Sequence, residues 1–188
     1  MKLIQIVGRK KTGKTSYVVR LLPLLVGRGL KVGTVKHSAH PHPLDKPRSD
    51  SLRHRDAGAD ATLVIASAFA ALHFPTPESP KDAQTLIDKY FQEMDLVLVE
   101  GWNDLKRPKI EILGSDAKNK IQTPVHLNSG DLMAAVYGQG IHSSELTIKG
   151  PNRFVDETRG GSADEIPCFH WVEIEAVADL ILNWMAKK

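Results

Sequence analysis

The chain has 188 residues, of which 41% are hydrophobic and 25% charged, and a formal net charge of +3. Those proportions suit one soluble globular domain with a substantial core; no run approaches the ~20 apolar residues of a membrane span, and so small a charge is no argument for nucleic acid. The single cysteine, Cys168, has no partner for an internal disulfide, so a reducing cytoplasm and a buried small hydrophobe are the expectation.

The N-terminus lacks a secretory pattern: its short apolar run, Leu3-Ile4-Gln5-Ile6-Val7, reads as a buried strand. It leads directly into Gly8-Arg9-Lys10-Lys11-Thr12-Gly13-Lys14-Thr15, followed by Ser16. This is GxxxxGK[ST] in the strand-then-helix setting its chemistry requires. Gly8 and Gly13 let the loop wrap inward so that backbone N–H groups face phosphate oxygens. Lys14 brings a positive charge to the β/γ-phosphates, and the Thr15 hydroxyl can ligate Mg²⁺. The following helix aims its partly positive N-terminus at the same anion. Residues 8–16 therefore predict a nucleotide phosphate site.

In that helix Val18, Leu21, Leu22 and Leu25 recur at helical spacing, Pro23 predicts a kink, and Gly27 and Gly29 predict the stop. Residues 31–36 read as a second strand, which completes a right-handed βαβ unit with a parallel pair. Residues 37–48, rich in His, Pro and charge, read as a functional loop. A short helix is expected over 49–57 and two strands over 60–66 and 69–74. Ser79, Pro80 and Asp82 then mark a helix start, with Ala83, Leu86, Ile87, Tyr90, Phe91 and Met94 on one face. Residues 95–101 are an apolar strand with an acidic end, of the kind buried in parallel sheets. Strands are expected over 108–113, 132–137 and, weakly, 145–149, with a surface loop over 114–123. Residues 150–165, rich in Gly and charge, are expected to be poorly ordered. Ile174, Val177, Ala178, Ile181, Leu182 and Met185 stripe a terminal helix. The fold class that follows is α/β and P-loop NTPase-like: one domain over 1–188, a mostly parallel sheet with helices on both faces, and antiparallel strands around 60–74 and 108–137.

A phosphate loop of this type needs an acid near Mg²⁺. Asp95 begins the 95–101 strand and Glu100 ends it. Ligands sit outside the carboxyl ends of parallel strands, so Glu100 is the expected metal acid and Asp95 lies ~13–17 Å away at ~3.3 Å per residue. The histidines after Lys36 lack zinc spacing. Lys36, His37, Arg53 and His54 can hold a phosphate or another oxyanion, while Asp45 and Asp50 can bind a sugar hydroxyl or a metal-bound water, or cap the helix that follows. Asn128-Ser129-Gly130-Asp131 has the form of a guanine-reading Asn-x-x-Asp, but these are also the usual turn formers, and a turn is the expectation.

These segments together resemble the MobB family of molybdopterin-guanine dinucleotide biosynthesis adapter proteins. The resemblance rests on the phosphate loop with its Pro-containing helix and on Thr34-Val35-Lys36-His37. It rests also on Asp45-Lys46-Pro47, Asp50-Ser51, Arg53-His54-Arg55 and Ala57-Gly58-Ala59, and on the strand ending Glu100-Gly101 followed by Pro108-Lys109-Ile110-Glu111. It covers about residues 3–113. Arg48 and Ser49 stand where the family usually has Gly-Lys, and Trp102 where it has a lysine or a hydrophobe. The resemblance implies a GTP-binding homodimer that uses Mg²⁺ and hydrolyses GTP slowly at most. It implies work beside a MobA-like nucleotidyltransferase, which joins GMP to molybdopterin, with molybdopterin or molybdoenzymes as further partners. It also implies a second anion site along residues 36–55, with Lys36, His37, Asp45, Asp50 and Arg53. No water-positioning residue follows Glu100, in keeping with slow hydrolysis. A second reading of the same residues is a small P-loop kinase, with Asp45 or Asp50 as base and Arg48, Arg53 and Arg55 as a lid.

Overall fold

A computed structural model describes residues 1–38, 45–114, 124–127, 129–138, 153–156 and 164–187. The elements in chain order are β1 (Lys2–Val7), α1 (Lys14–Gly27), β2 (Val32–Lys36), α2 (Asp50–Asp56), β3 (Thr62–Ile65), β4 (Ala70–His73), α3 (Pro80–Tyr90), β5 (Leu96–Glu100), β6 (Lys109–Ile112), β7 (Leu132–Tyr137), β8 (Arg153–Asp156), β9 (Asp164–His170) and α4 (Ile174–Ala186). They fall into two compact units, Met1–His37 with Phe91–Lys188, and Ser38–Tyr90.

The first unit is built on a sheet in the order β2-β5-β1-β6-β7-β9-β8. Its first six strands are parallel neighbours and β8 is antiparallel to β9. β5 and β7 are largely buried and apolar on both faces, as parallel strands are when neither face meets water. One face contributes Ile4, Ile6, Leu96, Leu98, Ile110, Ile112, Ala134 and Val136 to a core closed by Tyr17, Leu21 and Leu25 of α1 and by Val177, Ala178 and Ile181 of α4. Each of the larger aliphatic side chains contributes ~1.5–3 kcal/mol by leaving water. This packing anchors α1, and with it the phosphate loop, over the middle of the sheet.

α1 runs unbroken through Pro23. The carbonyl freed by the missing N–H belongs to Val19, which is 61% exposed, so water can satisfy it. The helix ends in a Schellman pair: Gly29, at φ +87°, donates to the Val26 carbonyl, and Leu30 donates to that of Leu25. Gly27 is therefore the last helical residue and Gly29 the left-handed one.

Two expectations are corrected. β6 and β7 are parallel to each other and to β1, not antiparallel; both are buried along nearly their whole length. Within residues 150–165, expected to be poorly ordered, the described residues 153–156 form β8 and 164–165 begin β9. β9 was hidden by Pro167, which a strand run normally excludes; it pairs with Arg153 on the edge strand β8. The weak strand at 145–149 and the loop at 115–123 lie outside the described residues. Cys168 is buried in β9, its thiol pushed up to about 12 by burial and, second, by Glu173, so it stays an unreactive thiol at neutral pH.

In the second unit, the antiparallel hairpin expected over 60–74 is present as β3–β4, with Thr62 opposite His73 and Ile65 opposite Ala70. Ser49 caps α2 by accepting the Leu52 N–H, so Asp50 is a first-turn acid and not the cap. Ser79 opens α3: its hydroxyl accepts the Asp82 N–H and donates to the Asp82 carboxylate at 2.6 Å.

Candidate functional site

Residues 8–16 leave β1 at the carboxyl edge of the sheet and enter α1. The loop depends on positive φ at Gly8 (+140°), Lys11 (+66°) and Gly13 (+89°). A Cβ on Gly8 would stand 2.3 Å from the Ile112 carbonyl oxygen, so only glycine fits between the loop and β6. Thr12, 8% exposed, ties the loop to itself through a 3.0 Å bond from its hydroxyl to the Arg9 carbonyl. Gly13 stands at the N-cap of α1, and no side chain caps that helix. Arg9, Lys10, Lys11, Thr15 and Ser16 are exposed around it. Exposed cations thus flank a loop that leads into a helix N-terminus, an arrangement that suits an anion with several oxygens.

Lys14 lies within this loop, its ammonium donating to the carbonyls of Gly8 (2.9 Å) and Arg9 (2.7 Å). Burial holds it below the ordinary lysine range, Glu100 pushes it back up, and Lys36 adds to the lowering.

The register decides between the two acids. Ile6 of β1 and Lys36 of β2 both pair with Glu100, in the last row of β5. Asp95 precedes that strand; its carbonyl accepts the Lys2 N–H and its carboxylate the Lys31 N–H at 2.8 Å. Glu100 therefore stands at the carboxyl edge of the sheet, on the side of the 8–16 loop, and Asp95 at the opposite one. The Thr15 hydroxyl donates to Glu100 Oε1 at 2.6 Å, and Lys36 Nζ reaches both Glu100 Oε1 (2.7 Å) and Thr15 Oγ1 (3.2 Å). Two hard oxygens already share one cation here, and that donor set fits Mg²⁺. Among the described residues no group of three or more His, Cys, Asp or Glu could hold a metal. A Mg²⁺ here would complete its six ligands with phosphate oxygens and water, its habit at phosphate sites.

The chain after Glu100 turns sharply. Gly101 (φ +84°) and Trp102 (φ +61°) are both left-handed, and a Cβ on Gly101 would press on the His37 carbonyl at 2.8 Å. The His37 ring stacks on Trp102 with centroids 5.3 Å apart. Gln5, fully buried in β1, donates to the Trp102 carbonyl. Sequence reasoning passed over Gln5. The available signal was a lone amide in an apolar strand, which must find a partner when buried.

Of the remaining candidates, Lys36 and His37 belong to the first unit, and Asp45, Asp50 and Arg53 to the second. Asp45 is engaged internally: Arg55 at 2.6 Å, Ser51 at 3.1 Å and His73 at 3.6 Å converge on its carboxylate. Asp50 and Arg53 pair with each other at 3.4 Å on the surface. Lys109 and Glu111 are buried anchors for loops. The Lys109 ammonium donates to the Leu105 carbonyl and to Asp131, while Glu111 accepts the N–H groups of Val125 and His126 at 2.8 and 3.0 Å. Asp131 lies before β7, at the amino edge of the sheet, so residues 129–131 turn into that strand, as expected, far from the loop edge. His40, His42 and Asn128 lie outside the described residues.

The family described as "MobB: Molybdopterin guanine dinucleotide synthesis protein B" matches residues 3–137. The chain is 36% identical over 179 residues to the molybdopterin-guanine dinucleotide biosynthesis adapter protein of Escherichia coli K12, covering 94% of this chain and 89% of that one. It is 31% identical over 147 residues to a probable protein of the same description from Bacillus subtilis, covering 76% and 80%. In fold it is similar to the crystal structure of Bacillus subtilis MobB, with TM-score 0.67 and 23% identity over the whole of both chains.

Proposed function

Because the chain belongs to the MobB family, an adapter in molybdopterin guanine dinucleotide biosynthesis, we propose that it binds GTP with Mg²⁺ and assists a MobA-like nucleotidyltransferase in attaching GMP to molybdopterin. In this reading it works as a homodimer beside that enzyme, with molybdopterin or a molybdoenzyme as a further partner. The observation that carries the reading is the row in which Thr15 and Glu100 meet within 2.6 Å, beside a glycine-built loop and the N-terminus of α1.

The loop amides and Lys14 would bind the phosphate tail, and Arg9, Lys10 and Lys11 would attract it electrostatically. Thr15 and Glu100 would hold Mg²⁺, which supplies charge neutralisation between the phosphates when bound. Holding the metal, Glu100 would not be available as a general base, in keeping with a protein that carries nucleotide and hydrolyses it slowly.

A competition titration of GTP against ATP with Mg²⁺, repeated with a purified MobA-like partner, tests this. Preferential GTP binding and faster dinucleotide formation in the presence of the chain are expected. Absence of nucleotide binding overturns the reading, and labelled γ-phosphate appearing on a metabolite would replace it with a kinase.

A further inference from the structure

The Lys36 side chain crosses from the last residue of β2 to the two oxygens that the proposed site offers to a metal. Its ammonium lies 2.7 Å from Glu100 Oε1 and 3.2 Å from Thr15 Oγ1. The hydrogen bonds are directional. The Thr15 hydroxyl gives its proton to Glu100, which leaves its lone pairs free to accept from Lys36. Glu100 is 13% exposed at the side chain, so its charge needs a close partner, whereas Lys36 is 52% exposed and can leave on its flexible stem. Mg²⁺ would take these oxygens at ~2.0–2.1 Å, and with the ammonium held 2.7 Å from Glu100 Oε1 the two cations would repel each other at close range.

We infer that Lys36 is a built-in counter-cation of the Thr15–Glu100 pair, which competes with the divalent metal and is released when the metal enters. Before the metal arrives, Lys36 neutralises Glu100, so an incoming phosphate tail does not face a bare carboxylate. Two consequences follow. The chain keeps part of its affinity for nucleotide without metal, and metal entry frees an ammonium at the phosphate edge, beside Lys14. The inference deepens the nucleotide reading of this site, and its first test needs no nucleotide.

Mn²⁺, a paramagnetic stand-in for Mg²⁺, is titrated against the nucleotide-free full chain and followed by electron paramagnetic resonance. Lys36→Met is expected to bind Mn²⁺ about fivefold more tightly than wild type, the upper range for releasing a partly exposed ion pair; Lys36→Arg, which keeps the charge, stays near wild type. Equal or weaker Mn²⁺ binding by Lys36→Met, or no Mn²⁺ binding by any variant, overturns the inference. The second measurement is GTP affinity in EDTA against affinity in Mg²⁺. The gap is expected to widen by about the same factor in Lys36→Met, and an unchanged gap in a chain that binds GTP also overturns the inference. If wild type fails to bind GTP while the Mn²⁺ competition stands, the GTP reading falls and the counter-cation remains.

Discussion

The Lys14 ammonium rests on two loop carbonyls, in a pocket that depresses its pKa by burial and counters this with Glu100. The folded chain therefore holds this proton less tightly than the unfolded chain does. Between the lowered value and the ordinary lysine value of 10.5, the unfolded state binds more protons, so the Lys14 contribution to stability rises with pH across that window. A bound polyphosphate acts in the opposite sense, because it favours the ammonium. Nucleotide affinity should then fall as pH climbs through the same window. Lys14→Ala is expected to weaken nucleotide binding by at least ~1.5–3 kcal/mol, the scale of charge-assisted contacts, and to flatten both pH slopes. Titrations and denaturant melts of both proteins at neutral and alkaline pH check this. Equal affinity, or parallel slopes, would remove Lys14 from phosphate binding. The glycine-built loop before α1 was legible in the sequence because its signature is local: glycines, a lysine and a hydroxyl at fixed spacing need no tertiary partner to be recognised. The Lys36 bridge was not, because it joins residues 15, 36 and 100 through strand register alone.

Secondary elements show the same division between local and long-range information. α1, β5 and α4 announce themselves by periodicity, and α3 by its Ser79–Asp82 start. Strand direction does not, since apolar runs such as β6 and β7 look alike in either sense; only the neighbours to which they bond make them parallel. Asp45 illustrates the cost of reading charge without partners. As sequence it resembled a ligand-facing acid, yet its carboxylate, 12% exposed at the side chain, gathers Arg55, Ser51 and His73 and so ties the loop before α2 to that helix and to β4. Arg55 Nη1 and His73 Nδ1 also meet at 3.2 Å, while Arg55 Nε has no partner among the described residues. Replacing Asp45 by Asn leaves a guanidinium without its counter-charge. The expected loss is ~1–3 kcal/mol, below the cost of breaking a fully buried pair because Arg55 is partly exposed. Hydrogen exchange is the direct measurement: amides of α2 and of the β3–β4 hairpin should open faster in Asp45→Asn, and unchanged protection there would show that the carboxylate holds nothing together.

At the scale of the whole molecule, the two units have no sequence linker between them; the chain leaves the first after His37 and returns at Phe91. Every tryptophan, Trp102, Trp171 and Trp184, lies in the unit that carries the phosphate loop. Tryptophan fluorescence during heating therefore follows that unit, whether or not the second melts with it. A ligand that binds only the folded state stabilises it by ~2.7 kcal/mol at a hundredfold excess over its Kd, which for a chain of this size corresponds to a shift of about 5–10 °C in the melting midpoint. With Mg²⁺ and GTP at that excess, the tryptophan-detected midpoint should rise by about this amount. With EDTA in place of Mg²⁺ the rise should shrink without vanishing, because Lys36 still neutralises Glu100. Trp102 adds a local reading, since it stacks on His37 one residue beyond Gly101, and nucleotide arriving at the neighbouring Glu100 should change its emission before any melting. A midpoint that ignores Mg²⁺ and GTP together would mean that the loop, for all its glycines and lysines, does not hold a triphosphate.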